Sequence, residues 1–354
     1  MRQRGELGTR LRVSHAPMAR ASRYTDRMEY AQPVPGIHLI PVPTPYLVGP
    51  VNCYLIDGPA PVLVDCGHGM PEAEAVLRAA LQDLGVAPAD LALILLTHHH
   101  FDHAGGLGWL RRATMAPVAG HPWNDLCLRP SPERIRGRDT FFQDLYRYCG
   151  YPAIEQEEVR RYFKDDAGIV DYRAIGQALT AGMTIELGRK VWAVYETPGH
   201  AGTSLSLVRD DGVAIVGDTL LSRVSSNAIV EPPYPGQSGR IATLLTYRAS
   251  LKRLACLPIT TVLPGHGPAF TDHAALIERR LAAQDTRARR LLAGLEEGRD
   301  TVCGLSDMLF PKLQGDQRFL GLSEVLGHLD LLEEDGLVAH QGSDPALYYP
   351  TQAK

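Results

Sequence analysis

The stretch Thr97-His98-His99-His100-Phe101-Asp102-His103-Ala104-Gly105-Gly106 decides how the rest of the chain is read. It closes residues 91–97, an apolar run too short for a comfortable helix, which reads as a fully buried strand. The histidines therefore leave a strand end and not a helix face. Imidazole nitrogen and carboxylate oxygen suit zinc and related borderline metals. Four such side chains within six residues can serve two adjacent ions from one rigid loop. His98 and His100 alternate toward one ion, while Asp102 and His103 turn toward a second. His99 falls between them and is expected to point the other way, as a structural or solvent-facing residue.

Upstream, residues 37–42, 52–56 and 61–65 are short β-rich runs between Pro and Gly turns. Val76, Leu77, Ala80, Leu81 and Leu84 then fall at helical spacing before Gly85. Downstream, residues 122–181 are richer in Arg, Tyr, Phe and acidic side chains, with helical segments around 139–148 and 155–163, and read as an insertion. Strand signals resume at 190–195, 204–208, 213–216 and 259–263, with a helix near 243–254. Two successive strand-rich halves, each containing helix, favour sheets packed under helices, an α/β fold. Beyond 272 the pattern is helical over 274–294, 301–309 and 322–335. A hairpin follows, 337–340 with 346–349, giving a winged-helix pattern. Residues 1–27 carry seven arginines against two acidic residues without hydrophobic periodicity, and read as a tail, a targeting segment or an over-extended start.

Composition removes several classes. With 45% hydrophobic and 21% charged residues in 354, the chain has a globular and not a disordered composition. Its 34 glycines and 26 prolines argue for many turns and against a coiled coil. No apolar run approaches the ~18 to 20 residues of a membrane span. A net charge of −4 provides no global basic field for nucleic acid. Six cysteines without a C-x-x-C pair, and no apolar leader core, read as reduced thiols and a cytoplasmic location.

The quoted stretch resembles the T-H-x-H-x-D-H signature of the metallo-β-lactamase-fold hydrolases. The remaining motifs of that superfamily follow in order: Leu63-Val64-Asp65-Cys66-Gly67, Thr197-Pro198-Gly199-His200, Val216-Gly217-Asp218-Thr219 and Leu263-Pro264-Gly265-His266-Gly267. The resemblance implies a four-layer αββα sandwich over 28–271, carrying the helical insertion and followed by a winged-helix-like domain over 272–354. It implies that His98, His100 and His200 bind one metal and that Asp102, His103 and His266 bind the other. Asp218 bridges both, and Asp65 orients a ligating histidine from behind. Two zinc ions are implied, with iron or manganese as alternatives at one position. The chemistry implied is hydrolysis by a metal-bridging hydroxide oriented by Asp102 and Asp218.

Within the superfamily, the histidine motif is similar to the glyoxalase II type of thioesterase, whereas the residues from 274 resemble the appendage of the β-lactamase-like protein 2 group. The expected activity is hydrolysis of a thioester, ester or lactone of a small acyl substrate, with the insertion as a lid. The alternative is an endoribonuclease acting on single-stranded RNA, using Arg279, Arg280, Arg287, Arg289 and Arg290. A DNA-binding role would need 322–335 as the recognition helix, and its acidic side chains oppose that. A packing or homodimer role is the other reading of the appendage. His68, His121 and Tyr234 are candidate pocket-lining residues.

Overall fold

The computed structural model describes residues 30–153, 174–315 and 317–351. The arginine-rich tail and the helix expected around 155–163 lie outside the described residues. A six-stranded sheet is ordered β1 (Ile37–Val42), β2 (Val51–Ile56), β3 (Val62–Val64), β4 (Leu93–Leu95), β5 (Val118–Gly120) and β6 (Ile175–Ala178). The second sheet has five strands, β7 (Thr184–Leu187), β8 (Lys190–Glu196), β9 (Leu205–Arg209), β10 (Val213–Gly217) and β11 (Thr261–Pro264), in consecutive order.

Strand periodicity builds the layers. Along β2 every residue is buried, but Cys53 and Leu55 pack toward helices while Tyr54 and Ile56 pack toward the other sheet. Strand β10 divides likewise, with Val213 and Ile215 facing inward between the sheets and Ala214 and Val216 facing helices. A strand covered on both faces reads as a continuous apolar run, and its alternation assigns residues to two cores. Helices α1 (Pro71–Asp83), α2 (Phe101–Ala104) and α3 (Leu107–Ala113) cover the first sheet through Leu77, Leu81, Leu107 and Leu110. Helix α6 (Thr243–Ala255) covers the second through Leu244, Tyr247, Leu251 and Leu254. The layer order is therefore αββα.

Helices α4 (Asn124–Leu128) and α5 (Pro132–Tyr148) lie in the expected insertion. Phe142, Leu145 and Tyr146 of α5 share one hydrophobic cluster with α7 (His273–Glu296), α8 (Val302–Leu309), α9 (Gln317–Glu334) and the β12 (Val338–Gln341) and β13 (Leu347–Pro350) hairpin. Helix α7 spans the junction, since Leu276 and Ile277 pack beside α6 whereas Ala288, Leu291 and Leu295 pack in the C-terminal cluster. Helix α9 is buried around most of its circumference, including Leu322, Val325, Leu326, Leu329 and Leu332. A helix buried on most of its faces is a core element, which argues against the recognition-helix reading.

Strands β5, β6 and β7 are not among the runs anticipated from sequence. Strand β5 is three residues long, and β6 is a largely exposed edge strand without an apolar face.

Trp192 is fully buried between the sheets, while its neighbour Val191 is 56% exposed. Trp192→Ala is expected to cost about 3 to 5 kcal/mol of unfolding free energy and Val191→Ala less than about 0.5 kcal/mol. Denaturant titration of both variants reads the contrast, and equal costs would contradict the two-sheet packing.

Candidate metal centre

Strand direction gathers the polar residues at one edge. Strands β3 and β4 are parallel, β10 and β11 are parallel, and β8 runs with β10 because each is antiparallel to β9. Asp65 follows β3, His98 and His100 follow β4, His200 follows β8, Asp218 follows β10 and His266 follows β11. The expectation that the motif lies wholly off a helix holds for His98 and His100 only. Asp102 and His103 sit on α2, whose N-terminal flanking residue His100 is still extended at ψ 146°. Gly106 lets this turn press on the β3 end, since a Cβ there would lie 2.0 Å from the Cys66 carbonyl oxygen.

The ligand atoms of His98, His100 and His200 all lie within 4.8 Å of one another, as do those of Asp102, His103 and His266. Asp218 stands between the two groups. Its Oδ1 is 3.4 Å from His103 Nε2, and its Oδ2 is 3.6 Å from both His200 Nε2 and His266 Nε2. Gly265 permits this approach, because a Cβ at that position would meet Asp218 Oδ1 at 2.1 Å.

The outer hydrogen bonds fix the tautomers. The Thr97 hydroxyl donates to Asp65 Oδ2 at 2.8 Å, so it accepts from His98 Nδ1 at 3.0 Å. His103 Nδ1 donates to Asp65 Oδ2 at 2.7 Å, His200 Nδ1 to the Asn227 carbonyl at 3.0 Å and His266 Nδ1 to the Pro50 carbonyl at 2.9 Å. Each leaves its Nε2 facing the cluster. The buried atoms His103 Nε2, His200 Nε2, His266 Nε2 and Asp218 Oδ1 make no hydrogen bond. Buried polar atoms are rarely left so, and four converging nitrogen and oxygen atoms fit a divalent cation pair of the zinc type.

The electrostatics agree. Burial and the surrounding imidazoles hold His98 and His100 well below the usual histidine range, so both are neutral donors. At His103 burial opposes charge, but Asp218, Asp65 and Asp102 outweigh it and raise the group well above that range. Burial likewise opposes ionisation of Asp218, and the neighbouring His103, His266 and His200 reverse it. The carboxylates thus draw positive charge into a dry site.

Asp65 lies in the left-handed region at φ 56°, a conformation that asparagine and aspartate tolerate best among residues with a Cβ. Its carboxylate accepts from the Thr97 amide, the Thr97 hydroxyl and His103. His99 has Nδ1 2.8 Å from Thr203 Oγ1, and a ligand atom of its ring lies within 4.8 Å of those of His100 and Glu231, so it borders the cluster. Its Nε2 lies 3.3 Å from Glu231 Oε1, a residue that the sequence reading did not single out. Burial raises Glu231 to about 7, and its Oε2 accepts from the Gly202 amide at 2.8 Å and the Tyr234 hydroxyl at 2.9 Å. The available signal was the stiff run Glu231-Pro232-Pro233-Tyr234-Pro235. Tyr234 lines a cavity with His99 and His100. His68 instead wedges between the rings of Tyr46 and Phe101, and His121 accepts from the Trp123 amide at 3.1 Å.

No helix among the described residues is long and apolar enough to cross a membrane. Comparison with known proteins agrees with the geometry. The chain is 34% identical over 316 residues to the probable metallo-hydrolase YqjP of Bacillus subtilis, covering 89% of this chain and 98% of that protein. The crystal structure of a metallo-beta-lactamase family protein from Thermus thermophilus matches with a TM-score of 0.75 at 30% identity, covering 90% of this chain and 99% of that one. A more distant likeness is the thioesterase pkgB of Emericella nidulans, 24% identical over 244 residues, 68% of this chain and 53% of that protein. The model of the metallo-beta-lactamase superfamily matches residues 46–266, and the chain belongs to that superfamily of metal-binding hydrolases.

Proposed function

We propose that this hydrolase cleaves a thioester, ester or lactone of a small acyl substrate at a two-cation centre. His98, His100 and His200 would hold one cation and Asp102, His103 and His266 the other, with Asp218 standing between the two groups. The observation that carries the reading is the position of Asp218 between two histidine-rich triads, with His103 Nε2, His200 Nε2, His266 Nε2 and its own Oδ1 left without hydrogen-bond partners. When bound, zinc, or iron or manganese at the aspartate-containing position, supplies Lewis acidity and brings the pKa of water toward neutrality.

The chain's own residues do the positioning. Asp65, Asn227 and Pro50 hold three imidazoles in the tautomer that faces inward. Asp102 Oδ2 lies 3.2 Å from His266 Nε2, and Asp218 presents its second oxygen to the same nitrogen. Glu231 clamps the loop after His200 through Gly202 and Tyr234. Side-chain burial of the donors excludes bulk water, which strengthens each electrostatic contact.

An ester-type substrate is favoured over RNA by the fate of two of the five arginines. Arg280 donates to the carbonyls of Leu221, Ser222 and Val224, and Arg287 pairs with Glu324. These two guanidinium groups are engaged within the fold, which takes them out of a phosphate path, while Arg279, Arg289 and Arg290 are exposed. The distant thioesterase relative points the same way.

Asp65→Asn is expected to lower zinc affinity about 10- to 100-fold with the far-ultraviolet dichroism unchanged; competition against a chromophoric chelator measures it, and unaltered affinity would remove Asp65 from its orienting role. The zinc-loaded protein is also expected to turn over acyl thioesters or esters, to lose that activity on chelation or in Asp218→Ala, and to leave single-stranded RNA intact. RNA cleavage that vanishes in Asp218→Ala, without acyl turnover, would reverse the assignment.

A further inference from the structure

A cavity of about 190 Å³ opens beside His99 and His100. Its walls include Leu126 and Leu128 of α4, Phe142 of α5, Ile229, Val230 and Phe319 of α9. Glu231 and Tyr234 form its polar end, and both are fixed, since the Tyr234 hydroxyl donates to the carboxylate and Trp123 stacks on the tyrosine ring at 4.5 Å. The two arginines at its border are committed elsewhere. Arg134 donates to the Pro233 carbonyl at 2.8 Å and lies over the Tyr234 ring, and Arg138 pairs with Asp139. A wider cavity of about 860 Å³ shares Leu126, Arg134 and Arg138 with the first, and there Asp125, Glu133 and Asp144 balance Arg129, Arg134 and Arg138. The wider space is thus balanced in charge, whereas the smaller one carries Arg134 and Arg138 against Glu231, with both guanidinium groups already engaged by protein partners.

We propose that the smaller cavity is the acyl subsite, selecting an apolar acyl group about the size of a six-carbon chain or an aromatic ring. This rests on the ester-type reading above. The size follows from volume, since an apolar cavity of about 150 Å³ walled by Leu, Ile and Phe accommodates benzene. The class follows from the carbon-rich walls, which gain by removing methylenes from water. Phe142 and Phe319 come from the insertion helix and from the C-terminal region, so the segments outside the αββα layers shape the preference.

The test compares wild type, Ile229→Phe and Leu126→Trp, all zinc-loaded. Both positions are half-buried, so the larger side chains fill the cavity without entering the core. Rates are measured on 4-nitrophenyl acetate, hexanoate and benzoate, and binding of the three free acids is followed by calorimetry. In wild type, kcat/KM for the hexanoate and benzoate esters exceeds that for acetate at least about tenfold. That ratio collapses toward one in both variants, and hexanoate binding weakens in parallel. Ester turnover with a flat acyl profile, or with a profile that neither substitution changes, overturns the subsite and leaves the ester-type reading standing. Absence of ester turnover, with hexanoate binding still sensitive to both substitutions, supports the subsite and overturns the reaction. Neither turnover nor binding overturns both. Single-stranded RNA that displaces hexanoate, and no longer binds the two variants, overturns the acyl assignment in favour of a base pocket.

Discussion

The Asp65 carboxylate, 1% exposed at the end of β3, is the constraint on which the metal edge depends. A buried carboxylate persists only when its oxygens are satisfied, and here the three donors belong to the start of the histidine motif and to α2. Satisfying Asp65 therefore draws Thr97 and His103 to it, and Thr97 in turn orients His98 through the hydroxyl oxygen it has left. One backbone bond closes the same junction, from the Cys66 amide to the His103 carbonyl at 2.8 Å. The two sheets are registered at this edge by an equally short bond, Leu205 amide to Thr97 carbonyl at 2.8 Å, and the loops after β10 and β11 by another, Gly265 amide to Gly217 carbonyl at 2.7 Å. The histidine geometry thus rests on backbone registration together with the buried side-chain bonds of Asp65 and Thr97.

The legibility of the sequence followed the same physics. Strands such as β2 and β10, buried on both faces, announce themselves as apolar runs, and the donor residues announce themselves because His and Asp clusters after such runs are uncommon. All seven donor candidates lie at one edge of the fold. Glu231 was marked in sequence only by its proline-rich run, because its role comes from a contact with Gly202, distant in sequence and visible only when the His200 loop folds over it. Strand β6 was hidden for a different reason: an exposed edge strand needs no apolar face and so leaves no periodic trace. The turn at Phe101–Ala104 was obscured by its length, since a four-residue helix carries no helical repeat.

The C-terminal region raises a last point about rigidity. Nothing in the spacing of α7, α8 and α9 predicts contact with the metal edge, yet Asn227 connects α9 to it. Its carbonyl accepts from His200 Nδ1, while its side-chain amide donates to the Leu320 carbonyl of α9 at 2.9 Å. The Val230 amide donates to Ser323 Oγ at 3.2 Å, and Arg240 forms a bidentate pair with the buried Asp330 of the same helix. Three attachments along one helix leave the segment from Asn227 to Arg240 little freedom, and that segment supplies both the anchor of His200 and the Glu231 clamp. A metal ligand held to within a fraction of an ångström needs support that is itself packed. Helix α9, buried on nearly every side, provides that packed support. Its burial, which argues against it as a surface for nucleic acid, is what suits it to hold the His200 side of the site.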